Sequence, residues 1–148
     1  MRGVQILLAD DDEDDRSFFR EALTEAAISA ELITVEDGRQ LTDYLSATEN
    51  PPPDIIFLDI NMPLKNGKIC LREIRNNEKF NDTPVVMFST SSHPNDIAET
   101  WADGANLYII KFEFFGHEVN MLKSVFSANW QKELFLRSKE NFILKAGE

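Results

Sequence analysis

A single aspartate and a cluster of three stand directly after apolar runs, and they are the residues best suited to chemistry. Asp59 follows the apolar run at residues 55–58, and three consecutive aspartates at residues 10–12 follow the run at 6–9. A strand that ends on a carboxylate presents it at the edge of a sheet, so the two sites predict one oxygen-rich pocket. Hard oxygen ligands suit magnesium, which takes one or two carboxylates and keeps several waters.

Two further apolar runs add hydroxyl groups and an amine to this set. Ser89 and Thr90 follow the fourth apolar run of the chain, and Lys111 follows the fifth. In parallel sheets ligands lie beyond the carboxyl ends of the strands, so these groups are expected near the aspartates. Together they could hold a divalent cation and a phosphoryl group, with Asp59 as the nucleophile that forms an acyl phosphate.

The elements that must position these residues form a regular alternation. Short apolar runs predict five strands, at residues 4–9, 31–35, 55–58, 84–88 and 107–110. Helical spacing of apolar residues predicts helices at 14–28, 38–47, 67–78, 96–103 and 116–136. Such alternation, with strands that are apolar throughout, is typical of an α/β fold with a doubly wound parallel sheet and helices on both faces.

Composition bounds the class of protein. A length of 148 residues fits one domain, and a net charge of −11 argues against non-specific binding to DNA or to an anionic membrane. Cys70 is the only cysteine, which suits a reducing compartment, and helical spacing places it in the core. No apolar stretch approaches the ~20 residues of a membrane span. We therefore expect a cytoplasmic protein with neither DNA nor membrane as a partner.

Four motifs stand at the predicted strand ends in a fixed order. They are residues 6–12, residues 54–63 with Gly67 after them, residues 84–90 and residues 104–111. Together they resemble the receiver domain of a two-component response regulator, and in particular the stand-alone, chemotaxis-type regulators. The resemblance implies a flavodoxin-like sheet of strand order 2-1-3-4-5 in a single domain over residues 1–148. Residues 129–148 would extend the last helix and add a tail.

The resemblance also implies how phosphate and metal would be bound. Asp59 would accept phosphate from a phosphohistidine on a sensor histidine kinase or a phosphotransfer protein. Asp10, Asp11 and the backbone carbonyl of Asn61 would hold Mg²⁺, for which Mn²⁺ can substitute. The protein would then be a signalling switch rather than an enzyme, limited to taking phosphate from small donors and dephosphorylating itself.

A second group of residues would pass the change on to a downstream protein partner. Ser89 and Lys111 would bind the phosphoryl oxygens, and Thr90 would shape access to them. Tyr108 would turn inward as Ser89 moves, which in the family alters the face made by the fourth helix, fifth strand and fifth helix. Two routes to a homodimer stay open, through that face or through the C-terminal tail.

One position departs from the family pattern. Phe112 follows Lys111, where the family usually has a proline after a cis peptide bond. A cis bond before another residue costs ~3 kcal/mol, so the loop either takes a trans path or keeps a strained cis bond. In both cases we expect Lys111 to point into the pocket.

Two other functions stay open on the sequence alone. A phosphatase of the haloacid-dehalogenase type would use the aspartate at the end of the first strand, with Asp12 as general acid, although the turn at 61–63 and the short chain argue against it. A pseudo-receiver would bind partners without phosphorylation.

The other acids near the end of the first strand have structural explanations. Asp12 is expected to be a helix N-cap, and Asp14 and Asp15 are expected to be solvated residues that interact with the helix dipole.

Overall fold

The computed structural model describes residues 3–146 and contains five parallel strands in one sheet. The strands are β1 Val4–Ala9, β2 Ala30–Val35, β3 Ile55–Leu58, β4 Val85–Ser89 and β5 Leu107–Ile110. Their order is β2-β1-β3-β4-β5, and each neighbouring pair is parallel. Both the predicted fold class and the implied strand order are confirmed.

Within the described residues, six helices pack on the two faces of this sheet. They are α1 Glu13–Glu25, α2 Gly38–Ser46, α3 Gly67–Arg75, α4 Pro94–Ala102, α5 Glu118–Val125 and α6 Trp130–Leu136. Short 3₁₀ turns span Glu78–Phe80, Lys111–Phe114 and Lys139–Asn141. None of the helices within residues 3–146 is both long and apolar enough to cross a membrane.

Alternate residues of the strands divide the core into two apolar layers. Ile56 and Leu58 of β3 face the layer that contains α2 and α3, where Cys70 is buried as predicted. Ile55 and Phe57 face the layer that contains α1 and α5. The ring of Phe57 meets that of Phe19 edge-on at 4.9 Å. Because β3 is buried on both faces, all of its residues are apolar. Polar residues therefore begin where the strand leaves the sheet.

The single long helix predicted over residues 116–136 is wrong, because the chain breaks it into α5 and α6. Asn129 has a φ of 64°, a left-handed conformation that does not continue a right-handed helix and that asparagine tolerates. The rings of Phe126 and Trp130 nevertheless lie 5.1 Å apart and pack against the same core layer. The helical spacing of apolar residues therefore continues from α5 into α6, although the helix itself is interrupted between them.

The C-terminal tail, residues 139–146, folds back onto the outer edge of β5. The amide of Tyr108 donates to the carbonyl of Phe142, and the amide of Leu144 donates to the carbonyl of Tyr108, both at 2.9 Å. The ring of Phe142 is buried at 5.2 Å from Trp101 and 6.0 Å from Tyr108. The tail thus pairs with an edge strand that would otherwise present unpaired backbone groups.

We expect Phe142→Ala to lower the free energy of unfolding by about 3 kcal/mol, because it leaves a cavity between the tail and α4. Chemical denaturation followed by circular dichroism measures the change. Leu136→Ala is the matched control, since Leu136 is 70% exposed and a surface change usually stays within about 0.5 kcal/mol. Equally small losses in both variants would contradict a stabilising role for the tail.

Candidate functional site

Carboxylates from two strand ends and one helix surround a single ammonium group at the carboxyl edge of the sheet. Asp10 follows β1, Asp59 follows β3, and Lys111 follows β5. The Nζ atom of Lys111 lies 2.7 Å from Asp10 Oδ2 and 3.2 Å from Asp59 Oδ2. It also lies 2.8 Å from Oδ2 of Asp15, in the first turn of α1. Lys111 therefore points into the acidic pocket.

Three acids of this edge could hold a metal ion. Carboxylate oxygens of Asp10, Asp11 and Asp59 all lie within 4.8 Å of one another. Asp10 and Asp59 are buried, whereas Asp11 is exposed, so an ion bound here could keep water ligands on its open side. Asn61 lies beside this group, since its amide is 3.4 Å from Asp59 Oδ1. Hard oxygen donors of this kind fit Mg²⁺ or Mn²⁺.

The electrostatics of the pocket also favour a bound cation. Burial raises the pKa of Asp10 to about 6, although the charge of Lys111 opposes this shift. Burial raises the pKa of Asp59 in the same way, again against the charge of Lys111. Burial by itself would lower the pKa of Lys111, but the charges of Asp59 and Asp10 outweigh it and raise that pKa. One ammonium shared among several carboxylates leaves an excess of negative charge that a divalent cation would neutralise.

A tight turn after β3 gives Asp59 its position. The amide of Gly67 donates to the carbonyl of Ile60 at 2.8 Å, which folds the chain back over the end of β3. A Cβ atom on Gly67 would lie only 2.0 Å from the carbonyl oxygen of Asp59. Glycine is therefore required here by close backbone approach rather than by an unusual φ.

Ser89 ends β4, Thr90 follows it and Tyr108 lies within β5, and the three residues have different environments. Ser89 is buried, and its Oγ accepts a hydrogen bond from the amide of Ser91 at 3.1 Å. The hydroxyl of Tyr108, a fully buried residue, donates to the carbonyl of Ser91 at 2.8 Å. Thr90 is exposed and lines a groove next to Lys111. Ser91, which the strand-end pattern did not single out, thus links Ser89 to Tyr108.

The first turn of α1 contains one confirmed and one wrong prediction. Asp12 is the N-cap, because its carboxylate accepts a hydrogen bond from the amide of Asp15 at 3.1 Å. Asp15 was expected to be solvated, but its carboxylate pairs with Lys111. Side chains of a helix tilt toward its N-terminus, so an acid in the first turn after β1 can reach back to the strand end. This tilt of helix side chains is the signal from which the contact between Asp15 and the strand end could have been predicted.

The loop after Lys111 takes the trans path. Every peptide bond described in residues 3–146 is trans, including the one between Lys111 and Phe112. The loop then forms the 3₁₀ turn Lys111–Phe114, in which Phe114 is buried and Phe112 is exposed. Lys111 also lies over the ring of Phe88, with Nζ 5.2 Å from its centroid. The absence of the proline therefore leaves the lysine in the pocket.

The phosphatase alternative finds no support in this geometry. It requires Asp12 to act as a general acid two residues after a nucleophilic Asp10. The carboxylate of Asp12 instead caps α1, and its amide donates to Asp10 Oδ1 at 3.0 Å. The carboxylate of Asp12 therefore stabilises the first turn of α1 and has no role as a general acid in this structure.

Comparison with known proteins agrees with this arrangement. The family model of the response regulator receiver domain matches residues 6–118. Response regulator Rcp1 of Synechocystis sp. is 34% identical over 110 residues, which covers 72% of this chain and 75% of that protein.

Solved structures show the same similarity in three dimensions. The Mn²⁺-bound form of response regulator Rcp1 has a TM-score of 0.78 at 28% identity, and the match covers 91% of this chain and 99% of that chain. The phosphorylated cyanobacterial phytochrome response regulator RcpA has a TM-score of 0.70 at 30% identity, with 90% and 88% covered. The fold is thus shared, over most of its length, with a metal-bound and with a phosphorylated protein.

We expect Mg²⁺ to raise the midpoint of thermal unfolding at constant ionic strength, because a ligand that binds only the folded state stabilises it. At ten times the dissociation constant the gain is about 1.4 kcal/mol, or roughly 3 to 6 °C for a chain of this size. Asp11→Asn should lose most of this shift, and Asp14→Asn, at an exposed neighbour, should keep it. Equal shifts in the two variants would place the bound ion elsewhere.

Proposed function

This chain belongs to the response regulator receiver family, and on that premise we propose that it is a signalling switch phosphorylated on Asp59. One observation carries the proposal: the Asp59 carboxylate lies 3.2 Å from the Lys111 ammonium and within 4.8 Å of the Asp10 and Asp11 oxygens. A carboxylate beside a fixed cation and a set of metal ligands has what phosphoryl transfer to a carboxylate requires.

The proposed reaction is a displacement at phosphorus. An oxygen of the Asp59 carboxylate attacks the phosphoryl group of a phosphohistidine on a sensor histidine kinase or a phosphotransfer protein. The P–O bond forms as the P–N bond breaks, and the imidazole nitrogen keeps the bonding electrons and takes up a proton. Hydrolysis later adds water at phosphorus, which restores the carboxylate and releases inorganic phosphate.

The metal and the surrounding side chains have separate roles in this proposal. Asp10, Asp11 and the backbone carbonyl of Asn61 would hold Mg²⁺ or Mn²⁺. When bound, the ion neutralises charge on the phosphoryl oxygens. The Lys111 ammonium donates a hydrogen bond to one phosphoryl oxygen and the Ser89 hydroxyl donates to another, which the positions of both residues at adjacent strand ends support.

The change at the site reaches the surface through the loop after β4. Ser89 and Tyr108 are both hydrogen-bonded to Ser91, so a shift of Ser89 toward the phosphoryl group displaces the partner of the Tyr108 hydroxyl. Tyr108 lies in β5, whose outer edge pairs with the tail, so the face of α4, β5 and α5 that would contact the downstream partner includes the tail. Exposed Thr90 would control access of water to the phosphoryl group and thereby the rate of hydrolysis.

Exposed aromatic side chains beside the pocket support a protein phosphodonor. Phe18, Phe112 and Phe115 are exposed, and with Thr90 and Lys111 they line one groove. Large exposed apolar groups of this kind mark interaction surfaces, and a donor that brings a phosphohistidine to Asp59 would cover them.

Two copies would associate through the face of α4, β5 and α5 or through the tail. Residues 129–148 would be an extension of one receiver domain.

Incubation with Mg²⁺ and acetyl phosphate should phosphorylate the wild-type protein, and Asp59→Asn should remain unmodified because the nucleophilic oxygen is lost. Intact-protein mass spectrometry, with cleavage by hydroxylamine as the mark of an acyl phosphate, measures the outcome. Asp82→Asn is the control, since Asp82 is exposed and precedes β4 at the opposite edge of the sheet. Phosphorylation of Asp59→Asn at the wild-type level would exclude Asp59, and turnover of a generic phosphate ester would favour a phosphatase.

Lys111→Ala should slow acyl phosphate formation by about 10²-fold, the usual effect of losing one donor to developing negative charge. The same mass-spectrometric time course with acetyl phosphate measures the rate. Lys79→Ala is the control, since Lys79 is an exposed lysine in the 3₁₀ turn Glu78–Phe80, which precedes β4. A rate equal to that of wild type would remove Lys111 from the mechanism.

A further inference from the structure

The Lys111 ammonium has no hydrogen left for a phosphoryl group. A lysine ammonium has three donors, and three carboxylates lie around this one. They are Asp10 at 2.7 Å, Asp15 at 2.8 Å and Asp59 at 3.2 Å. A phosphoryl oxygen on Asp59 can therefore gain a hydrogen bond from Lys111 only if a carboxylate releases it.

The three carboxylates differ in how readily they can leave. Asp10 is fully buried, and its other oxygen accepts a hydrogen bond from the amide of Asp12 at 3.0 Å. Asp59 is the phosphoacceptor and stays in place. The side chain of Asp15 is 30% exposed, so its carboxylate can rotate into water while Lys111 keeps its contacts with Asp10 and Asp59. Asp15 is thus the partner that Lys111 can exchange.

The backbone around Asp15 is anchored, which leaves the carboxylate as the part that can move. The carboxylate of Asp12 holds the amide of Asp15 at 3.1 Å. The next residue, Arg16, donates to the carbonyl of Asp10 at 2.8 Å and pairs with Glu36 at 3.2 Å. The contact between Asp15 and Lys111 is therefore built into the first turn of α1.

We propose that Asp15 is a positioning residue that holds Lys111 in the unphosphorylated pocket and competes with the phosphoryl group for it. This inference rests on the proposed phosphorylation of Asp59. Asp15 acts through Lys111. In the unphosphorylated protein it completes the hydrogen bonds of the ammonium. In the phosphorylated protein it loses that contact and repels the added negative charge.

The charges decide the direction of the effect. Phosphorylation replaces the single negative charge of Asp59 with a more negative group, and both Asp59 and Asp15 lie within 3.2 Å of the Lys111 ammonium. Repulsion between charges a few ångströms apart is substantial near a protein surface. Asp15 therefore shifts the equilibrium toward the unphosphorylated form and limits the phosphorylated fraction at a given supply of phosphate.

The test measures binding of beryllium fluoride, a phosphoryl mimic, to three variants at saturating Mg²⁺. Asp15→Asn should bind it roughly tenfold more tightly than wild type, because it removes the competing charge and leaves only a weaker, neutral acceptor for the third hydrogen of Lys111. Asp15→Glu keeps the charge and should bind as wild type does. Asp14→Asn removes an adjacent exposed charge from the same helical turn and should also leave the affinity unchanged.

Isothermal titration calorimetry gives the affinities, and thermal unfolding without the mimic shows whether each variant is folded. The steady-state fraction phosphorylated by acetyl phosphate should follow the same order. Unchanged or weaker binding by Asp15→Asn, or an equal gain in Asp14→Asn, overturns the inference. Binding of the mimic by Asp59→Asn at the wild-type affinity would instead refute the proposed function, so the two failures are distinguishable.

Discussion

One positive charge shared among several carboxylates is the interaction on which the whole pocket depends. Burial raises the pKa of Asp10 and that of Asp59, and the Lys111 ammonium opposes both shifts. If this ammonium were absent, two buried acids at short range would tend to take up a proton, and a protonated Asp59 is a poor nucleophile. In the proposed reaction the nucleophilicity of Asp59, which follows β3, therefore depends on the ammonium of Lys111, which follows β5.

The register of the parallel sheet brings these groups to the same level. Ala9 pairs with Leu58, so Asp10 and Asp59 leave the sheet side by side. Ser89 pairs with Ile110 in the same way, and Lys111 therefore begins its turn beside Ser89. A shift of one residue in either pairing would move a functional side chain to the other face.

Tyr108 connects this edge of the sheet to the C-terminal tail. Its hydroxyl is bonded to the loop that follows Ser89, while its backbone is bonded to Phe142 and Leu144 of the tail. Phe142 also packs against Trp101 of α4. The tail thus occupies part of the surface next to β5, and its docking and the buried position of Tyr108 stabilise each other.

The strands, their parallel arrangement and the residues at their ends were predictable from the amino-acid sequence, because strand ends are marked locally where apolar runs meet polar residues. Asp59 and Lys111 were identified in this way. The pairing of Asp15 with Lys111, 96 residues away, and the pairing of the tail with Tyr108 emerged only in the folded chain. The break at Asn129 was hidden because apolar residues on both sides of it pack against one core layer. Such features depend on contacts between distant segments and on the conformation of single backbone residues. The local periodicity of apolar residues predicts neither of them.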